Sequence, residues 1–174
     1  MVILAGIMQV LIIRHAKAGQ RGLLGFIGKK DAARPLTDAG RRDMRKAVRG
    51  LQKLVPEIDV LASSPLVRAR ETADIVSRRY DNTPVMELAP LAPGGSKEDV
   101  LAWLRDQKAT ATVALVGHEP DLGMLASWLL GGGAESFLSL KKGAACLIEM
   151  AEKPTPGSGR LEWLLPPAAL RKHG

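Results

Sequence analysis

Aromatic residues are scarce: Phe, Trp and Tyr together make up 3% of the chain. The core must therefore be built from aliphatic side chains and alanine. So few rings also exclude a surface that stacks unpaired bases, and a nucleic-acid partner is not expected. Cysteine is scarcer still. Cys146 stands alone, so no disulfide can close within the chain and no cysteine cluster can hold a metal, which fits a reducing compartment. It lies in the apolar run Ala144-Ala145-Cys146-Leu147-Ile148, the pattern of a buried strand.

Long apolar runs are lacking too. Met1 to Ile13 mimics a signal-peptide core, and Ala16-Lys17-Ala18 mimics a cleavage site. No basic residue precedes that stretch, it is too short to span a bilayer, and cleavage would discard Arg14 and His15. It reads as a first strand, with a cytoplasmic location and no membrane partner expected. Met8 is a sufficient start for that strand, and Met1 to Ile7 reads as a short extension or an upstream start. Acidic charge is also in deficit: 25 Lys and Arg face 18 Asp and Glu, a net charge of +7. Such a balance suits an anionic substrate or an acidic partner, or is simply a solvated basic surface.

What is present is an alternation of short apolar runs and amphipathic stretches over 174 residues, without repeat or linker. One domain, 1–174, is expected. Strands are predicted at Gln9–Ile13, Asp59–Ala62, Pro84–Leu88, Thr112–Val116, Ala145–Met150 and Leu161–Leu165. Helices are predicted after Thr37, from Ser64-Pro65 with Ser64 as cap, after Ser96 and from Pro120. Ala18–Arg34 reads as a long loop, and Lys17, Arg21, Lys29, Lys30 and Arg34 make that region basic: an attractor of anions, or a solvated loop. The pattern predicts an α/β fold of three layers, with a mainly parallel central sheet, helices on both faces and an antiparallel edge.

Three polar clusters each follow a predicted strand: Arg14-His15, Ser63-Ser64-Pro65-Leu66-Val67-Arg68, and Gly117-His118-Glu119-Pro120. In open α/β sheets ligands bind beyond the carboxyl ends of the strands, so the clusters converge if their strands are neighbours. Arginine presents a planar fork that matches phosphate oxygens. Arg68, in the first turn of its helix, opposes the helix dipole unless an anion sits there. Taken singly, it fits a surface ion pair, and each histidine fits a structural role. A metal site using His with Glu119 or Asp121 is a rival, though pocket arginines repel a cation. No Gly-x-Ser-x-Gly elbow is present for a serine hydrolase.

Leu11-Ile12-Ile13-Arg14-His15-Ala16 resembles the Arg-His-Gly signature of the histidine phosphatase superfamily, the phosphoglycerate mutase-like proteins, with Ala16 in place of glycine. Pro35-Leu36-Thr37-Asp38-Ala39-Gly40 resembles that family's entry into its first helix. Ser63 to Ala73 resembles its second motif, and Val116-Gly117-His118-Glu119-Pro120 its third. The short chain and the turn Leu91–Gly95 look most like the SixA-type phosphohistidine phosphatases. The resemblance implies a nucleophilic His15, phosphate ligands at Arg14 and Arg68, and a second histidine at His118. It implies no cofactor and no metal, and a phosphohistidine-bearing protein or a small phosphate compound as substrate. Lys17 is expected to help bind that substrate. Where many relatives carry an acidic proton donor, this chain has Leu88-Ala89-Pro90. Glu119 is the expected acid in its stead, with Glu87 or water as alternatives, unless Glu119 only complements the dipole of the helix after Pro120. Cationic neighbours are expected to keep His15 neutral. A phosphatase of small phosphoesters or nucleotides, and a non-catalytic phosphate-recognition module, stay open as other functions.

Overall fold

A computed structural model describes residues 6–19 and 29–174. The strands are β1 (Ile7–Arg14), β2 (Val60–Ser63), β3 (Val85–Glu87), β4 (Thr112–Gly117), β5 (Ala145–Ala151) and β6 (Arg160–Leu165). The helices are α1 (Lys29–Ala32), α2 (Asp38–Leu54), α3 (Val67–Arg79), α4 (Lys97–Arg105), α5 (Asp121–Gly131) and α6 (Pro167–His173), with a 3-10 turn at Ala89–Leu91. One six-stranded sheet runs in the order β3-β2-β4-β1-β5-β6. The pairings of β3 with β2, β2 with β4 and β4 with β1 are parallel. Those of β1 with β5 and β5 with β6 are antiparallel. The expected α/β architecture with an antiparallel edge is the one observed.

Strand alternation explains why β1 is apolar at nearly every position. Leu11 and Ile13 face one core with Leu51, Val48, Ala73 and Val76 from α2 and α3. Val10 and Ile12 face the other, with Leu101, Leu104, Leu122 and Leu125 from α4 and α5. A parallel strand covered on both faces has no polar side to show. Cys146 is fully buried in the second core, as its surroundings in sequence predicted.

Capping follows the sequence at two helices: the Thr37 hydroxyl accepts from Gly40 N–H, and the Ser96 hydroxyl from Asp99 N–H. It departs at α3, which begins at Val67 with Leu66 as its cap residue rather than at Ser64-Pro65. The Ser64 hydroxyl is engaged elsewhere, by the Leu66 N–H and by a histidine. Arg68 still falls in the first turn. Two further differences concern short elements. Lys29–Ala32 within the expected loop is helical, and Ala18 bridges Leu36. Helix α6, not foreseen, seals the first core with the fully buried Leu170. It lies so close to α2 that a Cβ at Gly50 would come within 1.9 Å of the Leu170 carbonyl oxygen. Arg21 and Met1–Ala5 lie outside the described residues, as do the side chains of Lys29 and Lys30.

Candidate active site

The sheet order brings the three polar clusters together. β1 and β4 are neighbours in the register Arg14 to Gly117, and β2 pairs Ser63 with Val116. Beyond these pairs the ladder is extended by single bonds: His15 N–H to the Gly117 carbonyl at 3.0 Å and Ser64 N–H to the Val116 carbonyl at 2.9 Å. His15, Ser64 and His118 therefore leave one edge of the sheet side by side, and the rings of His15 and His118 have centroids 5.1 Å apart.

Each ring is held by a specific partner. His15 Nδ1 lies 2.7 Å from the Ala16 carbonyl oxygen. A carbonyl only accepts, so Nδ1 carries the proton and Nε2 keeps its lone pair. His118 Nε2 lies 2.8 Å from Ser64 Oγ, while its buried Nδ1 has no hydrogen-bond partner. The Ala16 N–H donates to Thr72 Oγ1, whose hydroxyl donates to the Arg68 carbonyl, so α3 fixes the backbone just past His15.

Both histidines are driven toward the neutral form. His15 is lowered from 6.5 to about 4, first by burial, with Arg68, Arg14 and Lys142 adding to it and the Ala16 bond opposing. His118 is lowered to about 3, again first by burial, then by His15, Arg68, Arg14 and Arg34. Desolvation thus outweighs the cationic neighbours that the sequence had suggested as the main cause.

The histidines open onto a pocket of about 690 Å³. Arg14 and Arg68 line it beside them, as do Lys17, Arg34, Glu119, Lys142 and Asp31. The Arg14 guanidinium donates to the Leu140 carbonyl at 2.7 Å, and its buried Nε has no partner. Arg68 Nη1 donates to the Asp31 carbonyl at 2.9 Å, and Nη2 lies 3.4 Å from the Asp31 carboxylate. That carboxylate also pairs with Arg34 Nε at 3.0 Å. The pocket is therefore rich in cationic side chains, and its arginines are already aimed by backbone carbonyls and one carboxylate.

Arg14, His15, Lys17, Arg68, His118 and Glu119, the site residues expected from the sequence, all line this pocket, though not all are equally engaged. Lys17 is exposed at its rim. Glu119 Oε1 accepts from Leu140 N–H at 2.8 Å. Burial raises its pKa, partly offset by bonds from the Leu140 and Gly123 N–H groups and by Arg14. Glu87 is exposed and pairs with Arg70 at 3.0 Å, outside the pocket lining. Sequence reasoning missed Asp31, Lys142, and Ser64 as a histidine partner. The only signal for Lys142 was its place just before β5, within two residues of a turn glycine. Among the described residues no group of three His, Cys, Asp or Glu side chains is gathered to hold a metal. No helix among them is long and apolar enough to cross a membrane.

The chain is similar to known proteins along most of its length. Residues 10–92 match the family described as the histidine phosphatase superfamily (branch 1). An uncharacterized protein of Picosynechococcus sp. is 35% identical over 137 residues, covering 78% of this chain and 81% of that protein. Phosphohistidine phosphatase SixA of Escherichia coli is 27% identical over 167 residues, 94% of this chain and 97% of that one. The solved structure of the protein histidine phosphatase SixA complexed with tungstate superimposes with a TM-score of 0.79 at 29% identity, covering 94% of this chain and 99% of that one.

Proposed function

The chain belongs to the histidine phosphatase superfamily, in its SixA-type group, and from that premise we propose that this phosphatase removes phosphoryl groups from phosphohistidine through a covalent intermediate on His15. The observation that carries the proposal is the His15 tautomer: Nδ1 is tied to the Ala16 carbonyl, which leaves Nε2 to attack. In the first half-reaction Nε2 forms a bond to phosphorus as the bond to the leaving group breaks. Arg14, Arg68 and His118 hold the phosphoryl oxygens and stabilise the charge of the transition state. The unpartnered Arg14 Nε is a donor that such an anion would satisfy, and His118 Nδ1 is another in the tautomer whose Nε2 accepts from the Ser64 hydroxyl. Water then attacks the phosphohistidine, releasing phosphate and restoring neutral His15. No metal enters either step, because the arginines supply the positive charge.

The leaving group supports phosphohistidine as substrate. An imidazole nitrogen can carry a proton as it departs, whereas an alkoxide needs a donor. With Pro90 where relatives carry an acid, the donor for harder substrates is Glu119, whose carboxyl burial pushes toward the protonated form.

A panel containing a phosphohistidine protein, aryl phosphates and alkyl phosphates tests this. The phosphohistidine protein is expected to turn over best. His15→Ala is expected to abolish turnover, together with an acid-labile, alkali-stable phosphoprotein seen after brief incubation with labelled substrate. Label that persists in the variant would remove His15 from its role, and faster turnover of alkyl phosphates would overturn the substrate.

A further inference from the structure

The pocket is larger than its catalytic centre. Its volume of about 690 Å³ falls in the range of sites that bury whole small ligands, about 300–1,000 Å³. A phosphoryl group among Arg14, Arg68 and His118 fills only part of it. Beyond that centre the wall continues to Lys17 and Lys142.

These two lysines differ from the other cation of the wall. Arg34 is already matched by Asp31 at 3.0 Å. Among the described residues no carboxylate lies within 4.0 Å of the Lys17 or Lys142 ammonium. Glu119, the other acid of the wall, is turned to the Leu140 N–H. Nor is Lys142 carried on a free loop. The next residue, Gly143, takes a left-handed conformation with φ of 77°. Its N–H reaches the carbonyls of Arg14 and His15 at 3.2 and 3.1 Å. The Lys142 backbone is thereby fixed one residue from a direct tie to the nucleophile's backbone, while its exposed side chain lines the pocket. Its ammonium is held below the ordinary lysine value, first by desolvation and then by Arg14, Arg34, Lys17 and Arg68. Crowded like charges without a counter-charge are relieved by an anion.

We propose that Lys142, together with Lys17, forms a second anion subsite, which selects substrates bearing another carboxylate or phosphate close to the phosphoryl group that His15 attacks. The proposal deepens the phosphatase assignment of the same pocket and rests on it for the identity of the first anion. The second charge has two possible sources, an acidic side chain next to a phosphorylated histidine or a small polyanionic compound.

Binding of unreactive phosphonates tests the subsite without requiring turnover. Phosphonoacetate, 3-phosphonopropionate and 4-phosphonobutyrate are titrated against alkylphosphonates of matching length. At the length that spans the two subsites, the carboxylate is expected to tighten binding about tenfold, the strength of a hydrogen bond to a charged group. Lys142→Met is expected to bring that ratio close to one, and Lys142→Arg to keep it. A second arm uses peptides carrying a stable phosphoryl-triazole mimic of phosphohistidine, with Glu or Gln alongside. A Glu preference assigns the charge to a protein substrate, and a preference confined to the small ligands assigns it to a metabolite. Absence of a carboxylate preference in both arms, or a preference that survives in Lys142→Met, overturns the subsite. Failure to turn over any phosphate compound would instead overturn the phosphatase assignment, while the binding ratios still judge Lys142.

Discussion

At the residue scale the centre depends on two histidines kept neutral by burial. Both hold protons less readily folded than unfolded, so the unfolded chain binds more protons between 6.5 and the folded values of about 4 and 3. Their contribution to stability is therefore full above pH 6.5 and is lost as pH drops through that window. Thermal unfolding measured from pH 7 down to pH 4 should show this loss, and the fall should be shallower in His118→Asn. Under the proposed mechanism, the same depression leaves His15 neutral and able to attack phosphorus well below neutrality. Once substrate ionisation is corrected for, the acid limb of kcat/KM should lie near pH 4; a limb near 6.5 would mean that His15 titrates like a solvated histidine. Glu119 poses a different question, since its Oε1 already accepts from Leu140 N–H. If it also donates the proton, Glu119→Gln should slow alkyl phosphates by about 10²–10⁴-fold, the usual worth of general acid catalysis, and aryl phosphates far less. An equal, small loss on both would confine Glu119 to holding Leu140 against α5.

At the scale of elements, β1 and α3 carry most of the site between them. β1 delivers Arg14 and His15. α3 delivers Arg68 in its first turn and, four residues on, the Thr72 hydroxyl that receives the Ala16 N–H. Glu71 on the same helix accepts from Leu36 N–H at 2.7 Å and pairs with Arg41, which anchors the entry to α2. The Gly40 Cα lies against this junction: a Cβ there would stand 2.1 Å from the Lys17 carbonyl oxygen. The start of β1 contributes less. Ile7 is 55% exposed, whereas Met8 is fully buried and paired with Met150. A chain beginning at Met8 should accordingly keep its activity and unfold within a few degrees of the full chain; a protein that precipitates or melts far lower would assign a structural role to the first seven residues.

At the scale of the whole molecule, the sheet order decides that the three motifs meet. They come from β1, β2 and β4, which are adjacent in the order β2-β4-β1 although they are dispersed along the chain. The meeting point is strongly cationic, and this suits a reaction whose charge develops on phosphoryl oxygens without a metal. Activity should therefore survive EDTA unchanged. Inactivation by chelator with recovery on adding zinc or magnesium would require His15 and His118 to be reassigned as ligands.

The fold class, most element positions and four of the residues that line the pocket were legible in the sequence. Apolar runs bounded by helix caps mark strands and helices locally, and Arg14, His15, Arg68 and His118 stand where strands end. It could not reveal contacts set by residues distant in the chain. Ser64 looked like a helix cap because local spacing favours that role, but its proximity to His118 arises only when β2 and β4 pair. Helix α6 carries too few residues for periodicity to mark it, and it is held by packing on α2. Asp31 and Lys142 sit in segments of no clear period, and the folded chain alone brings them to the same pocket. The depth of the histidine pKa shifts likewise belongs to the tertiary structure, because desolvation depends on what surrounds a ring in space, and the sequence shows only its neighbours along the chain.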